Sequence, residues 1–325
     1  MKALVLHAYG PPDRLTFEDV ADPVPAADEV LVRVRATSVN PYDWHYMRGE
    51  PYIARLMTGG VGLRRPKTPI LGCDVAGRVE AIGAGVTEFG PGDDVYALLP
   101  HGGYAEYVCV PEALLAPKPA NLSHEQAAAM PMAAVTALVA LQGVTRGQRV
   151  LVNGASGGVG TFAVQLAKAL GAQVDAVCNA ANADLARSLG ADEVTDYRKD
   201  DFTRSGRRYD VVLDIAGSRS LPACRRLLDR TGRFVVVGGQ AGRWVQPAGH
   251  AFGTLAAGPF TGRKAVLADA VGCRGKKAAL VTLAGFAESG ALTPVIDRSY
   301  PFGDLREAIA YQEAGHAKGK VVVTL

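Results

Sequence analysis

Apolar and polar residues alternate in short runs along the first part of the chain. The period of two is seen in E-V-L-V-R-V-R-A at 29–36, G-R-V-E-A-I-G at 77–83 and Y-A-E-Y-V-C-V at 104–110. Turns rich in glycine and proline separate these runs, as is typical of half-buried strands in a compact all-β unit. We therefore predict a β-barrel-like domain over residues 1–121.

After this β-rich part, helical patterns alternate with apolar strands. Ser123 can cap a helix and Gln126 can complete a capping box, and a break is expected at Pro131. The strands and helices that follow favour βαβ units in a parallel sheet. We predict an α/β domain over residues 122–290 and a strand-rich segment, 291–325, that returns to the first domain.

The composition excludes several classes of function. The 325 residues are 48% hydrophobic and 21% charged, with a formal net charge of +3 and no long basic run, so we expect no nucleic-acid partner. The apolar run at the start is too short for a signal peptide, and no membrane-spanning segment is expected. Five dispersed cysteines without a C-x-x-C pair fit a reducing compartment, and we predict a cytoplasmic protein.

The strongest motif lies where the first strand of the α/β domain turns into a helix, in R-V-L-V-N-G-A-S-G-G-V-G-T-F-A-V-Q-L-A-K. A glycine-rich turn in this context lets the main chain approach a pyrophosphate, and the free N–H groups of the first helical turn face its charge. The alternative is a tight packing turn without a ligand. The predicted dinucleotide site comprises Ala155, Ser156, Gly157, Gly158, Val159 and Gly160.

The end of the second strand bears on the choice of cofactor. A site for NAD places a carboxylate there, against the ribose 2′-hydroxyl, whereas this chain has Asn179 and no acid to repel a 2′-phosphate. Tyr197 ends the third strand and is followed by Arg198 and Lys199, which add positive charge; the alternative is a solvated loop. We predict NADPH as the cofactor.

Four stretches resemble the zinc-free quinone oxidoreductase branch of the medium-chain dehydrogenase/reductase superfamily, over nearly the whole chain. They are P-I-L-G-C-D-V-A-G-R-V-E-A-I-G-A-G-V, G-Y-A-E-Y-V, A-S-G-G-V-G-T-F-A-V-Q-L-A-K and G-H-A-K-G-K-V-V-V. The resemblance implies a GroES-like β-barrel catalytic domain, a Rossmann domain with a doubly wound parallel sheet, and bound NADP (NADPH). It also implies a homodimer, formed through an edge strand near 263–272.

The same resemblance implies further cofactor contacts. Thr136 resembles a threonine that lies beside the nicotinamide, and its alternative is a helix-interior threonine bonded to its own preceding turn. The remaining predicted cofactor contacts are Gly217, Gly238, Gly239 and Lys320.

Cys73 and Asp74 lie side by side in L-G-C-D-V-A-G and raise the question of a metal. Zinc dehydrogenases of the superfamily hold their metal with a cysteine in C-x-x-D-x-H, a G-H-E stretch and a third ligand. Here the first stretch reads N-P-Y-D-W-H, so Asn40 replaces the cysteine, and the third region, M-P-M-A-A-V-T, offers one threonine among apolar groups. Catalytic zinc needs several N, S or O ligands, and we predict no metal.

Without a Lewis acid, a quinone or an α,β-unsaturated carbonyl accepts hydride more readily than an alcohol releases it. We expect an NADPH-dependent reductase of such substrates, with Asn40, His45 and Tyr46 as hydrogen-bond or proton donors. Each of the three residues has a purely structural alternative. Two other functions stay open: an NADP-dependent alcohol dehydrogenase or carbonyl reductase, and a low-activity NADPH-binding sensor.

Overall fold

The computed structural model describes residues 1–56, 62–239, 264–270 and 272–325. It divides into two compact units: the first unit is Met1–Val135 with Val271–Leu325, and the second unit is Thr136–Ala270.

The predicted domain boundaries, at 121/122 and 290/291, differ from this division by about one helix on each side. On one side, the main-chain N–H of Met132 donates to the Asp74 carboxylate at 2.7 Å. On the other, the Tyr96 hydroxyl donates to the Leu280 carbonyl at 2.5 Å. The segments around residues 132 and 280 therefore pack with the β-rich part, although their helical patterns resemble those of the α/β part.

Among the described residues, more lie in strands than in α-helices. They are β1 (Lys2–Leu6), β2 (Leu15–Asp19), β3 (Glu29–Val39), β4 (Asp74–Ile82), β5 (Asp94–Leu98), β6 (Tyr107–Pro111), β7 (Leu115–Pro117), β8 (Arg149–Asn153), β9 (Gln173–Cys178), β10 (Glu193–Asp196), β11 (Tyr209–Asp214), β12 (Leu228–Val236), β13 (Lys264–Leu267), β14 (Ile296–Pro301) and β15 (Lys320–Thr324). The described α-helices are α1 (Pro41–Arg48), α2 (His124–Ala128), α3 (Pro131–Ala140), α4 (Gly158–Ala169), α5 (Ala183–Ser188), α6 (Leu221–Arg225), α7 (Lys276–Glu288) and α8 (Leu305–Glu313).

The first unit is built on a sheet with the strand order β14-β15-β3-β4-β5-β7, in which β6 also pairs with β3. Strand β15 runs antiparallel to β3, with Val321 opposite Val39 and Thr324 opposite Ala36. The alternating burial along β3 reflects the period of two in its sequence, because one face covers the core. Residues from the C-terminal part of the chain thus complete the sheet of the N-terminal part.

The second unit contains a parallel sheet with the strand order β10-β9-β8-β11-β12-β13. This is the order of a doubly wound dinucleotide-binding fold, and it reverses between β8 and β11, where such folds bind their ligands. Four of the five residues of β8 are fully buried, as expected for a strand covered on both faces. The predicted combination of a GroES-like domain and a Rossmann domain is confirmed.

Local signals in the sequence account for several element boundaries. Ser123 and Gln126 form the predicted capping box, with N–H to side-chain oxygen distances of 3.0 and 3.2 Å. The break expected at Pro131 separates α2 from α3. Within the described residues, no helix combines the length and apolar character needed to span a membrane.

Candidate functional site

Helix α1 carries the three residues predicted to act on the substrate. Asn40 stands at its N-cap, where the Asn40 N–H donates to Asp43 Oδ2 at 2.8 Å, and Pro41 occupies the first turn. The helix ends at Gly49, whose φ of 62° is the left-handed conformation that glycine adopts at little cost. His45 and Tyr46 lie in this helix, so the three predicted residues share one short segment, and their action on the substrate stays a prediction.

A buried polar cluster, made of Ser38, Asn40, Asp74 and Lys320, lies at the start of α1. The Asp74 carboxylate accepts from the Ser38 hydroxyl, from Asn40 Nδ2 at 2.9 Å and from Lys320 Nζ at 3.2 Å. The main-chain N–H of Met132 adds a further donor at 2.7 Å. Asp74 and Lys320 have only 0% and 3% of their surfaces exposed, so their charges are compensated by one another and by these hydrogen bonds.

Both the oxygen and the nitrogen of the Asn40 side-chain amide form hydrogen bonds within this cluster. Its Oδ1 accepts from Lys320 Nζ at 2.5 Å while its Nδ2 donates to Asp74. The amide nitrogen Nδ2 carries a second N–H, and the predicted role of Asn40 toward the substrate stays a prediction. Lys320, predicted as a cofactor contact, lies in the polar cluster, and its role toward the cofactor stays a prediction.

Burial shifts the pKa of three further groups packed near this cluster. Burial raises the pKa of Asp43 to about 6, although the hydrogen bond from the Asn40 N–H opposes the shift. Burial also raises the pKa of Cys73 and the pKa of Tyr104 well above their usual values, and the nearby Asp43 carboxyl adds to both shifts. Cys73 is a thiol that donates to the Pro100 carbonyl at 3.2 Å.

These groups do not fit a zinc ion. Zinc binds thiolate, imidazole or carboxylate ligands, whereas Asn40 is a neutral amide and the Cys73 thiol donates to the Pro100 carbonyl. A dication beside Asp74 would also meet the Lys320 ammonium, 3.2 Å from the carboxylate oxygen. Among the residues that the structure describes, no group of three or more His, Cys, Asp and Glu side chains is arranged to hold a metal ion.

His45 and Tyr46 are held by aromatic and main-chain contacts. The His45 ring stacks on Trp44 with centroids 3.7 Å apart, and burial lowers the pKa of His45 to about 4, so the ring is neutral near pH 7. The Tyr46 hydroxyl accepts from the Thr68 N–H at 3.0 Å and retains its own proton to donate. Both residues can offer a hydrogen bond without carrying charge.

His101 belongs to the same group of rings and was missed in the sequence. Its ring centroid lies 4.2 Å from that of Tyr46 and 5.6 Å from that of Tyr42. Burial lowers the pKa of His101 to about 4, and its Nδ1 has no hydrogen-bond partner among the described residues. No local pattern in L-P-H-G-G links this histidine to α1, because the contact depends on how the chain folds between them.

In the second unit, the glycine-rich turn has the geometry that a dinucleotide requires. Gly154 has a φ of 97°, and Gly157 is the N-cap of α4. A Cβ atom at Gly160 would lie 2.1 Å from the Gly154 carbonyl oxygen, so only glycine allows this close contact. Ala155 and Ser156 precede the N-cap residue Gly157. The first turn of α4, with Gly158 and Val159, then presents main-chain N–H groups at a helix N-terminus.

The other predicted glycines lie at the carboxyl ends of neighbouring strands. Asp214 Oδ1 accepts from Asn153 Nδ2 at 2.7 Å and from the Gly217 N–H at 3.0 Å. Gly238 donates from its N–H to the Asp214 carbonyl at 3.3 Å, and Gly239 follows it. The ends of β8, β11 and β12 are therefore joined at the edge where the strand order reverses.

The end of β9 brings together the residues predicted to distinguish NADPH from NADH. The Tyr197 N–H donates to the Cys178 carbonyl at 3.2 Å, which places Tyr197 beside the strand end that leads into Asn179. Thr136 is buried on α3, with 7% of its surface exposed, and its predicted place beside the nicotinamide stays a prediction.

These residues fit a nicotinamide dinucleotide. The glycine-rich turn, tightly packed at Gly160, forms the main-chain surface for the pyrophosphate. The buried Oδ1 atoms of Asn179 and Asn182 have no hydrogen-bond partner among the described residues. Gly157 and the first turn of α4 would hold the pyrophosphate, and the β9 end would hold the adenosine ribose. When bound, the reduced cofactor supplies a hydride.

Comparison with known families agrees with this arrangement. Residues 26–120 match the alcohol dehydrogenase GroES-like domain, and residues 189–323 match a family described as zinc-binding dehydrogenase. A GroES-like unit combined with a Rossmann unit defines the class as a nicotinamide-dependent oxidoreductase of the medium-chain type.

Individual relatives show to which branch of this superfamily the chain belongs. The chain is 34% identical to the chloroplast envelope quinone oxidoreductase homolog of Arabidopsis thaliana, over 99% of this chain and 98% of that protein. It is 33% identical to the chloroplastic NADPH-dependent alkenal/one oxidoreductase of the same plant, over 99% of this chain and 79% of that protein. The quinone oxidoreductase structure from Coxiella burnetii aligns with a TM-score of 0.87 and 29% identity, covering 100% of this chain and 99% of that one. The chain belongs to the quinone oxidoreductase branch of the medium-chain dehydrogenase/reductase superfamily.

Proposed function

We propose that this protein uses NADPH to reduce quinones or α,β-unsaturated carbonyls, without zinc. The observation that carries the proposal is the polar cluster, in which Asn40 stands in place of the cysteine of C-x-x-D-x-H and the Lys320 ammonium and the Asn40 amide both donate to Asp74. The names of the relatives support the two substrate classes.

The absence of fitting metal ligands favours electron-poor acceptors. Oxidation of a simple alcohol needs a group that stabilises the alkoxide. Among the described residues near α1, the Lys320 ammonium is already paired with Asp74 and Asn40, and the Asn40 amide and the Tyr46 hydroxyl are neutral donors. A quinone or enone accepts hydride at carbon, and its oxygen then requires a hydrogen bond and a proton. The remaining N–H of Asn40 and the hydroxyl of Tyr46 can donate to that oxygen, and neutral His45 or His101 can relay a proton from water.

The preference for NADPH rests on the β9 end. Asn179 offers an amide where an acid would repel the 2′-phosphate, and Tyr197 lies beside it. Arg198 follows Tyr197, with its guanidinium carbon 5.9 Å from the Tyr197 ring centroid, and brings positive charge to this region.

The homodimer and the cytoplasmic location are also part of the proposal. Strand β13 is the edge of the parallel sheet, and its Val266 and Leu267 are 41% and 42% exposed. Within the part of the chain that the structure describes, no further strand pairs with β13, and an apolar edge strand of this kind supports pairing with a second copy. The five cysteines are all free thiols, which supports a reducing compartment.

A turnover assay on the purified protein tests the function. NADPH oxidation would be followed with a naphthoquinone, with a long-chain 2-alkenal and with the saturated aldehyde of the same length, before and after dialysis against a strong chelator. We expect turnover of the quinone or the alkenal, little reduction of the saturated aldehyde, and no effect of the chelator. Faster reduction of the saturated aldehyde would favour a carbonyl reductase. Tight NADPH binding without any turnover would favour a sensor.

A further inference from the structure

A buried asparagine that no sequence motif marked connects the β9 end to the glycine-rich turn. Asn182 has 5% of its surface exposed, and its Nδ2 donates to the Ser156 hydroxyl oxygen at 3.0 Å. The chain turns back between the two asparagines, since the Asn182 N–H donates to the Asn179 carbonyl at 3.0 Å. Asn179, Asn182 and Ser156 therefore form one group of polar side chains.

This hydrogen bond fixes the direction of the Ser156 hydroxyl. Because its oxygen accepts from Asn182, its own proton is available to donate away from Asn182. A phosphate oxygen can only accept, so a hydroxyl oriented in this way suits a phosphate. Ser156 is half-buried, and it therefore keeps access to a ligand.

The amide oxygens add a second observation. Asn179 Oδ1 and Asn182 Oδ1 are buried and lack a hydrogen-bond partner among the described residues. A buried acceptor without a partner is unfavourable, and a ligand with hydroxyl groups relieves that cost. The adenosine ribose of a dinucleotide carries such hydroxyls next to its 2′-substituent.

We infer that Asn182 is a positioning residue for the adenosine ribose: it holds the Ser156 hydroxyl as a donor to the 2′-phosphate, and its Oδ1 accepts from a ribose hydroxyl. The inference rests on the proposed use of NADPH. It adds Asn182 and a defined orientation of Ser156 to the specificity determinants, of which the sequence identified Asn179 and Tyr197.

Replacement by aspartate separates this role from simple packing. Asn182→Asp has nearly the same shape, but its carboxylate can only accept, so the Ser156 proton turns toward position 182. The outward donor is lost and a negative charge stands near the 2′-phosphate. A residue remote from the 2′-phosphate would tolerate this substitution without a change in ligand preference, and the Asn182→Ala variant removes the hydrogen bond to Ser156 without adding a charge.

Calorimetric titration with two fragments tests the inference without turnover. The ligands are 2′,5′-ADP, which carries the 2′-phosphate, and 5′-AMP, which lacks it. We expect Asn182→Ala to weaken 2′,5′-ADP by roughly tenfold and 5′-AMP by no more than about threefold, because only the first ligand loses the Ser156 contact. Asn182→Asp should remove most of the preference for 2′,5′-ADP.

A double-mutant cycle with Ser156→Ala shows whether Asn182 acts through the serine. The double variant should bind 2′,5′-ADP within about threefold of Ser156→Ala alone, the remainder being the ribose contact of Asn182. Asn121→Ala is the matched control, since its amide donates to the Ala287 carbonyl in the first unit, and it should bind both fragments like the unmodified protein. Circular dichroism and the unfolding midpoint establish that each variant is folded.

Each negative result would contradict a different part of the argument. If the unmodified protein does not prefer 2′,5′-ADP to 5′-AMP, the NADPH proposal itself is wrong. If it does prefer 2′,5′-ADP and both Asn182 variants retain that preference, only the role of Asn182 is wrong. Equal weakening of both fragments by Asn182→Ala would likewise overturn the assignment to the 2′-phosphate.

Discussion

The Lys320 ammonium lies 3.2 Å from Asp74 Oδ2, although 246 positions separate the two residues along the chain. The contact forms because β15 and β4 both pair with β3, which places residues from the two ends of the first unit side by side. Both side chains are buried, so each leaves an uncompensated charge or polar group if the other is removed.

Removal of the lysine charge should destabilise the first unit strongly. We expect Lys320→Met to lower the free energy of unfolding by about 3 to 5 kcal/mol, because the Asp74 charge would stay buried without its cation. Urea denaturation followed by circular dichroism measures the change. Lys318→Ala, at an exposed lysine two residues earlier, is the control and should have little effect.

A second variant separates charge from packing at this site. Lys320→Met combined with Asp74→Asn should recover part of the lost stability, since no buried charge remains. A double variant as unstable as the sum of the two single variants would contradict the ion-pair explanation.

The cofactor preference should respond to a single carboxylate at the β9 end. Asn179→Asp should weaken NADPH by roughly tenfold or more and spare or improve NADH, since a charge-assisted bond to phosphate is worth about 1.5 to 3 kcal/mol. Catalytic efficiencies with both cofactors are the measurement, and Asn121→Asp, at an exposed position, is the control. An unchanged ratio after Asn179→Asp would mean that the 2′-phosphate is recognised elsewhere.

The histidines near α1 should make the protein sensitive to acid. The pKa of His45 and the pKa of His101 are lowered from 6.5 to about 4, so between these values the unfolded chain binds protons that the folded protein does not. Stability from both groups is complete above pH 6.5 and is lost as the pH falls toward 4. The pKa of Asp43, raised from 3.8 to about 6, has the opposite sign and offsets part of this loss.

Unfolding midpoints across this pH window check the assignment. His45→Gln and His101→Gln should each flatten the decline, whereas Asp43→Asn should steepen it. His316→Gln, at an exposed histidine, should follow the unmodified protein. Parallel curves for His45→Gln, His101→Gln and the unmodified protein would show that neither ring is held neutral by the fold.

Loss of any one donor near α1 should reduce turnover by a limited factor. His45→Gln, Tyr46→Phe, His101→Gln and Asn40→Ala should each lower kcat by less than about a hundredfold, because water can deliver the proton when a general acid is lost. The measurement is kcat with the quinone or alkenal at saturating NADPH, with NADPH affinity determined in parallel. A loss beyond about ten-thousandfold at unchanged NADPH affinity would identify one of them as a dedicated acid.

The edge strand β13 should govern the oligomeric state. Val266→Lys should yield a particle of half the mass of the unmodified protein by light scattering, because a lysine on an edge strand opposes pairing between copies. Val24→Lys, at a position 86% exposed in the first unit, is the control and should leave the mass unchanged. A single-chain mass for the unmodified protein would refute the proposed dimer.

Patterns that are local in the sequence predicted much of this structure. The alternation in β3, the capping box at Ser123 and Gln126, and the glycine-rich turn before α4 each depend on residues a few positions apart. Their physical causes, side-chain period, capping and close backbone approach, act over the same short range. The parallel sheet and the β-rich first unit followed from these local patterns.

Contacts between distant segments were beyond the reach of the same reasoning. The partnership of Lys320 with Asp74, the position of His101 beside Tyr46 and the bond from Asn182 to Ser156 all depend on tertiary folding. A lysine in a strand and a histidine in a turn have many possible environments, and the sequence alone does not select among them. The contacts of Met132 and Leu280 with the β-rich part likewise depend on tertiary folding.

The pairing of β15 with β3 also constrains the order in which the protein can be completed during synthesis. A ribosome makes β3 and Asp74 early, then the continuous stretch of the second unit, and only later Lys320. The second unit can close its sheet from consecutive residues. In the nascent first unit, by contrast, the part of β3 that pairs with β15, residues 36–39, stays unpaired on that edge and Asp74 lacks its cation. Ribosome-bound chains that end before residue 320 should therefore depend most on chaperones that cover exposed strand edges.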